Sequence, residues 1–158
     1  MNMNVSSKTI KNNVSIERKY TCKNQGGDEI SPDISWNKVP GAKSYAILVF
    51  DPDAPSGTWI HWLISYIPPK ITKIPSMPVT NNNILEVYGE KLRQGMNSWE
   101  RYGYGGPCPP PGKQHRYFFA VYALDITLDG DSNAEKFVKL IKGHVIGTGH
   151  IIGLYKHT

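Results

Sequence analysis

The chain has 158 residues, of which 39% are hydrophobic and 20% charged. This composition fits one globular domain whose hydrophobic core is large enough to be stable without disulfides or metal ions. Eighteen basic against 13 acidic residues give a net charge of +5, but Lys and Arg form no run of five or more, so nucleic-acid binding is not indicated. The N-terminus is polar and no apolar run reaches the length of a membrane span. We therefore expect a single domain over residues 1–158, a cytoplasmic location and no stable membrane insertion.

The first half of the chain predicts short strands separated by turns rich in Pro and Gly. Residues 14–20 alternate as an edge strand does, and residues 34–36 predict a short strand. Residues 45–50 are apolar on both faces, which is typical of a central strand in a sheet that is covered on both sides. Residues 58–67 predict the next strand, and a period of two places Trp59, His61, Leu63 and Ser65 on one inward face.

The second half predicts further strands and one clear helix. Residues 84–88 predict a short strand, whereas residues 89–106 show so little periodicity that we expect a long loop there. Residues 116–124 predict another buried strand, residues 125–131 a loop, and residues 147–155 a last strand.

The helix is predicted from a capping box at residues 132–135 and a terminating glycine, Gly143. Its expected apolar face consists of Ala134, Phe137, Leu140 and Ile141.

The two cysteines, Cys22 and Cys108, do not have the paired spacing of a zinc site. Two interpretations remain open. They form a disulfide that pins residues near 108 to the N-terminal region, or they are two buried free thiols, which is the usual state in a cytosolic protein.

Three segments place polar side chains at the ends of predicted strands. The sequence Asp-Pro-Asp-Ala-Pro at 51–55 follows the first central strand, His61-Trp62 lies in the second, and a loop rich in Pro and Gly at 104–114 leads into the third. His115 and Tyr117 lie two residues apart and therefore on the same side of an extended chain. In order and spacing, these segments resemble the signature of the phosphatidylethanolamine-binding protein family, above all its short prokaryotic branch, which is related to Raf kinase inhibitor proteins.

The pattern of elements alone predicts a mostly β protein, either an antiparallel sandwich or a barrel. The resemblance implies the β-sandwich, with a large central sheet packed on a smaller sheet and one or two peripheral helices. It also implies a small ligand pocket formed by Asp51, His61, Gly106, Pro107, His115 and Tyr117.

Such a pocket suits phosphate-containing or carboxylate ligands, because imidazoles and a phenol can donate hydrogen bonds to an oxyanion. Asp51 would orient a histidine or contact a cationic amine. Arg116 points to the opposite side of its strand and is expected to pair with Asp51 or Asp53. The alternatives are structural: His61 as a core histidine bonded to a carbonyl, and the two aspartates as turn formers.

The resemblance implies a binding protein without cofactor, metal ligand or catalytic residue, acting as a serine protease inhibitor. The alternative from the same family is a protein kinase or signalling regulator of the Raf-kinase-inhibitor type. A metal-dependent enzyme that uses His61, His115 and Asp51 as a facial triad is a third hypothesis. A serine hydrolase is disfavoured because the sequence has no Gly-x-Ser-x-Gly. We expect a monomer or a homodimer.

Overall fold

The computed structural model describes residues 1–128 and 130–158 of the chain. Two single 3₁₀ turns span Arg18–Tyr20 and Lys23–Gln25. The other elements are β1 (Val5–Ser6), β2 (Val14–Ser15), β3 (Ile34–Trp36), β4 (Ser44–Asp51), β5 (Trp59–Ile67), β6 (Lys73–Ile74), β7 (Ile84–Val87), β8 (Glu90–Gly95), β9 (His115–Leu124), α1 (Ala134–Ile141) and β10 (Val145–Tyr155).

The strands form two sheets. The larger has the order β2-β10-β9-β4-β5-β8-β7, and all of its pairs are antiparallel except β10 with β2. The smaller is the antiparallel sheet β1-β3-β6. This arrangement of a large sheet, a small sheet and a peripheral helix confirms the predicted β-sandwich.

The large sheet is buried on both faces near its centre. One core cluster joins Ile34 and Trp36 of the small sheet to Tyr45 and Ile47 of β4. A second cluster, on the other face of β4, packs Ala46 and Leu48 against Leu63 of β5 and against Phe137 and Ile141 of α1. Burying an aliphatic or aromatic side chain of this size contributes roughly 1.5–3 kcal/mol, so the two-sided burial of β4 explains its unbroken apolar sequence.

The predicted helix is confirmed, but the predicted capping box at residues 132–135 is wrong, because the helix begins one residue later than that box requires and the buried Ser132 hydroxyl makes no hydrogen bond in the described part of the chain. Asn133 is its N-cap, and the Asn133 side chain accepts a hydrogen bond from the Lys136 amide at 2.9 Å. Gly143 follows the helix with a φ of 83°, a value that favours glycine. Leu140 was expected on the apolar face but is 42% exposed, because the eight-residue helix lies on the sheet through Phe137 and Ile141. The predicted loop at 125–131 includes residue 129, which lies outside the described residues.

Two predicted segments are wrong. Residues 14–20 do not form one strand, since β2 ends at Ser15 and a 3₁₀ turn follows. Residues 89–106 are not one long loop, because β8 occupies their first third and pairs with both β5 and β7. The polar residue Gln94 interrupts the apolar pattern of this strand, although it is buried. Its amide accepts a hydrogen bond from the Trp62 indole and donates to two backbone carbonyls.

Cys22 and Cys108 form a disulfide, with their Cα atoms 5.4 Å apart. This settles the open question in favour of the tether between the N-terminal region and the proline-rich segment. Among the residues that the structure describes, no helix is long and apolar enough to cross a membrane.

Candidate ligand-binding site

The antiparallel register of three strands brings the predicted polar residues to one end of the large sheet. β4 ends at Asp51, β9 begins at His115 on one side of it, and β5 begins at Trp59 on the other. Asp51 lies opposite Trp59 in the ladder. The end of one strand therefore meets the starts of both its neighbours, although Asp51 and His115 are 64 residues apart in sequence.

A β-bulge in β5 turns His61 towards the space between the sheets. Val49 and Phe50 are neighbours in β4, yet their partners are Trp62 and Ile60, so His61 is the extra residue. Trp62 belongs to the core between the sheets and Leu63 to the cluster under α1. The prediction that His61 and Leu63 share one face is therefore wrong, but the inward direction of His61 is confirmed by its burial.

Asp51 and His115 form a buried hydrogen-bonded pair. They are 3% and 2% exposed, and Nδ1 of His115 lies 2.6 Å from Oδ2 of Asp51. The other carboxylate oxygen accepts a hydrogen bond from the Asp53 amide at 2.8 Å. Because an ionised carboxylate only accepts, Nδ1 of His115 carries a proton and Nε2 is left for another partner.

His61 is held by a two-way contact with Gly105. Its Nδ1 lies 2.7 Å from the Gly105 carbonyl oxygen, and the Gly105 amide donates to the His61 carbonyl at 2.8 Å. Burial lowers the pKa of His61 to about 4, although the Gly105 carbonyl partly opposes this shift. The ring is therefore neutral near pH 7, with its proton on Nδ1 and a lone pair on Nε2.

Tyr117 presents a buried hydroxyl group that lies near Asp51 without the distance and angle of a hydrogen bond. The residue is 1% exposed, and no hydrogen bond to its hydroxyl is found within the described part of the chain. Burial, followed by the negative charge of Asp51, raises the pKa of Tyr117. The centroid of its ring lies 5.2 Å from that of His61 and 6.4 Å from that of His115. An unpaired buried hydroxyl is costly, so this group is one that a bound molecule would satisfy.

These side chains line a cavity of about 300 Å³. Its walls are mostly apolar, because the Trp59 and Trp99 rings stand edge to face on one side and the proline-rich segment closes another. The lining residues are Asp51, Ala54, Pro55, Ser56, Trp59, His61, Trp99, Cys108, Pro109, Pro110, His115 and Tyr117. Apolar walls strengthen the polar interactions made inside.

Gly106 and Pro107 lie behind this wall and not in its lining. The Gly106 amide donates to Glu29 at 3.1 Å, and the Pro107 carbonyl accepts from the Cys22 amide at 3.0 Å. A Cβ on Gly106 would lie 2.6 Å from the carbonyl oxygen of Tyr20, so only glycine allows this close packing. The structure thus places four of the six predicted residues around the cavity and the other two in the support of its wall.

The Asp53–Arg116 pair lies beside the cavity. Arg116 donates to the two carboxylate oxygens of Asp53 at 2.9 and 3.0 Å, and the hydrogen bonds and charge of the guanidinium lower the pKa of Asp53 to about 2. Asp53 is therefore the partner of Arg116, which confirms one of the two predicted alternatives. Arg116 is half exposed and is not a lining residue.

Trp99 is the main lining residue that the sequence did not identify. It lies in the aperiodic segment after β8, and its ring contacts His61 edge to face at 5.0 Å. No pattern of spacing marks such a contact, because the segment is held at the cavity by residues distant in sequence, as in the hydrogen bond from the Ser98 amide to the Ile60 carbonyl. Within the described residues, no cluster of three His, Cys, Asp or Glu is arranged to hold a metal ion.

The chain is similar to known proteins over almost its whole length. The family model for phosphatidylethanolamine-binding proteins matches residues 6–156. A UPF0098 protein from Aquifex aeolicus is 42% identical, with 98% of this chain and 88% of the relative covered, and one from Methanothermobacter thermautotrophicus is 41% identical, with 98% and 99% covered. Among solved structures, Escherichia coli YbcL, described as a member of the mammalian PEBP family, superposes with a TM-score of 0.83 at 32% identity and 99% coverage of both chains. The PEBP homologue CT736 from Chlamydia trachomatis superposes with a TM-score of 0.84 at 31% identity, covering 99% of this chain and 98% of the other.

Proposed function

Since this chain belongs to the phosphatidylethanolamine-binding protein family, we propose that it is a regulatory binding protein whose cavity takes a small phosphate- or carboxylate-bearing ligand. One observation carries the proposal. Nε2 of His61, Nε2 of His115 and the Tyr117 hydroxyl belong to residues that line one cavity, and none of these atoms has a hydrogen-bond partner in the described part of the chain. Three unpartnered polar atoms in an apolar recess favour a polar ligand.

The energetics favour an anion of low charge. Hydrogen bonds to a charged group contribute about 1.5–3 kcal/mol each, and the Tyr117 hydroxyl is placed in the cavity to make one. No Lys or Arg is among its lining residues. A ligand with several negative charges would therefore meet no side chains with positive charges to balance its own. A single phosphate or carboxylate group needs less of this balance.

Titration calorimetry with phosphoethanolamine and with acetate tests this binding. We expect His115→Ala to abolish it and Tyr117→Phe to weaken it about fivefold, the equivalent of one neutral hydrogen bond of about 1 kcal/mol. His144→Ala is a matched control, since His144 also pairs with an aspartate but lies outside the cavity. Unchanged affinity in His115→Ala, or absence of binding to both ligands, would refute the proposal.

We further propose that the protein acts on a partner protein as a serine protease inhibitor. The support is an exposed segment, residues 110–114, between the disulfide-linked Cys108 and the start of β9. A segment tethered at both ends loses little freedom when it binds, which favours affinity for a partner's cleft. Stoichiometric protein should slow at least one enzyme of a serine protease panel, and Lys113→Ala should reduce the effect. If no protease is slowed and a protein kinase is, the regulator of the Raf-kinase-inhibitor type is the better assignment.

We also propose that the protein is not an enzyme. The Asp51–His115 pair has the orientation of a catalytic dyad, but Ser56, the serine in the cavity lining, makes no hydrogen bond to His115 among the described residues. A triad requires that contact. Hydrolysis of activated esters that is lost in Ser56→Ala would contradict this proposal.

A further inference from the structure

The polar atoms in the cavity are not all donors. The Gly105 carbonyl can only accept, so the 2.7 Å contact fixes the proton of neutral His61 on Nδ1 and leaves Nε2 as an acceptor. The loop that carries Gly105 cannot shift easily, because the Trp99 ring occupies the place of a Cβ on that glycine. The acceptor is therefore built into the fold.

The neighbours of His61 preserve this state. The titratable groups that face it are Asp51 from β4 and His115 and Tyr117 from β9, while the loop side contributes the Gly105 carbonyl and the Trp99 ring. A positive charge on His115 disfavours a second one on His61, and burial acts in the same direction. His61 thus stays neutral while His115 pairs with Asp51.

We propose that the cavity selects a phosphomonoester in its singly protonated form, with the ligand's P–O–H group donating to Nε2 of His61. The other phosphate oxygens accept a hydrogen bond from the Tyr117 hydroxyl and lie near Nε2 of His115. This inference rests on the proposed anion-binding function and specifies the ligand class. No bond is made or broken, and the ligand enters with the proton that it shares with His61.

Three classes of anion fail this requirement. A phosphodiester, such as the headgroup of phosphatidylethanolamine itself, carries no hydroxyl on phosphorus. A carboxylate has lost its proton at neutral pH. A phosphate dianion would turn an oxygen lone pair towards the lone pair of Nε2, so a phosphomonoester above its second pKa should also bind poorly.

Titration calorimetry with methyl phosphate and dimethyl phosphate separates these forms. The second pKa of a phosphomonoester is about 6, so the singly protonated fraction falls about fifty-fold between pH 6 and pH 8. We expect the affinity for methyl phosphate to fall by about that factor. At pH 6, dimethyl phosphate should bind at least tenfold more weakly than methyl phosphate.

A different pH dependence is expected if the cavity binds the phosphate dianion. If the dianion were the bound form, its population would rise about twofold over the same pH range, and any fall in affinity that came from the protein would be shared by dimethyl phosphate, whose charge stays constant. A constant or rising affinity, or equal binding of the diester, would overturn the selectivity while leaving the anion-binding function intact. Absence of binding to methyl phosphate, phosphoethanolamine and acetate alike would instead remove the proposed function.

A substitution addresses the role of His61 directly. His61→Gln supplies an amide that can turn either its oxygen or its NH₂ group to the ligand, so the preference for methyl over dimethyl phosphate should shrink at least fivefold, and it should be unchanged in His144→Gln. If His61→Gln does not fold, the ligand series on the unaltered protein still decides. Co-sedimentation with phosphatidate vesicles tells the sources apart: recruitment identifies a lipid-borne monoester, and binding to free methyl phosphate alone identifies a soluble one.

Discussion

Replacing Asp51 by Asn should destabilise the protein far more than the same change at Asp53, although both are aspartates in one turn. The Asp51 carboxylate is buried and accepts two hydrogen bonds, from Nδ1 of His115 at 2.6 Å and from the Asp53 amide at 2.8 Å. An asparagine has one oxygen and one NH₂ group, so it can keep both contacts only if His115 moves its ring proton to Nε2 and Nδ1 accepts from the NH₂ group.

The expected cost follows from these contacts. Loss of a hydrogen bond to a charged group costs about 1.5–3 kcal/mol, and a buried donor left without an acceptor adds about 1–3 kcal/mol. Because a tautomer change in His115 recovers part of this, we expect Asp51→Asn to lower the free energy of unfolding by about 2–4 kcal/mol. Asp53 pairs with an Arg116 side chain that is 52% exposed, so Asp53→Asn should cost about 1 kcal/mol or less.

Urea unfolding of both variants at pH 7 measures the difference, and the His115 ring signals in NMR spectra report the tautomer. Equal destabilisation by the two substitutions would refute the reasoning, as would an Asp51→Asn variant within 0.5 kcal/mol (roughly the scatter of neutral surface changes) of the unaltered protein. The Asp51–His115 contact would then be incidental to the fold.

Three other predictions concern the supports of the cavity. The pKa of His61 is lowered to about 4 from 6.5, so protonation of this ring favours the unfolded chain. The free energy of unfolding should therefore fall by about 3 kcal/mol as the pH falls from 6.5 to 4. A His61→Gln variant whose free energy of unfolding has the same pH dependence would contradict this. Replacing Cys22 and Cys108 by Ser should cost about 2–4 kcal/mol, because the disulfide closes a loop with a sequence separation of 86, and a reductant should then have no further effect on the denaturation midpoint. Gly105→Ala should destabilise the fold by about 1–3 kcal/mol through overlap with the Trp99 ring, and Trp99→Ala should make the same substitution much less costly in a double-mutant cycle.

The sequence could predict those parts of the fold whose periodicity reflects burial alone. Residues 45–50 are apolar on both sides because β4 is covered by the small sheet and by α1, and the strand is found where it was expected. β8 was missed because Gln94 fills an interior position with hydrogen bonds instead of apolar contacts. A polar residue that finds all its partners inside the protein cannot be told from a loop residue by its type.

The candidate site shows the same limit. Asp51, His61, His115 and Tyr117 could be named because they lie in segments that resemble a family signature, but the protonation states that decide their chemistry could not. His61 was expected to donate to an anion, yet the contact of its Nδ1 with the Gly105 carbonyl makes its other nitrogen an acceptor. That contact joins residues 44 positions apart and depends on a bulge that no spacing rule reveals.

The rigidity of the site follows from where its polar groups are attached. Asp51 and His115 belong to neighbouring paired strands, and His61 to the third, so the distances among them are set by the ladder of the large sheet and not by loop conformations. Each imidazole then has one nitrogen held by a fixed acceptor, a carboxylate for His115 and a carbonyl for His61. The two acceptors differ in charge, and burial keeps His61 neutral near pH 7 with its Nε2 as an acceptor. The cavity therefore offers the lone pair of His61 beside the Tyr117 hydroxyl, which can donate, and this is the pattern that a partly protonated phosphate requires.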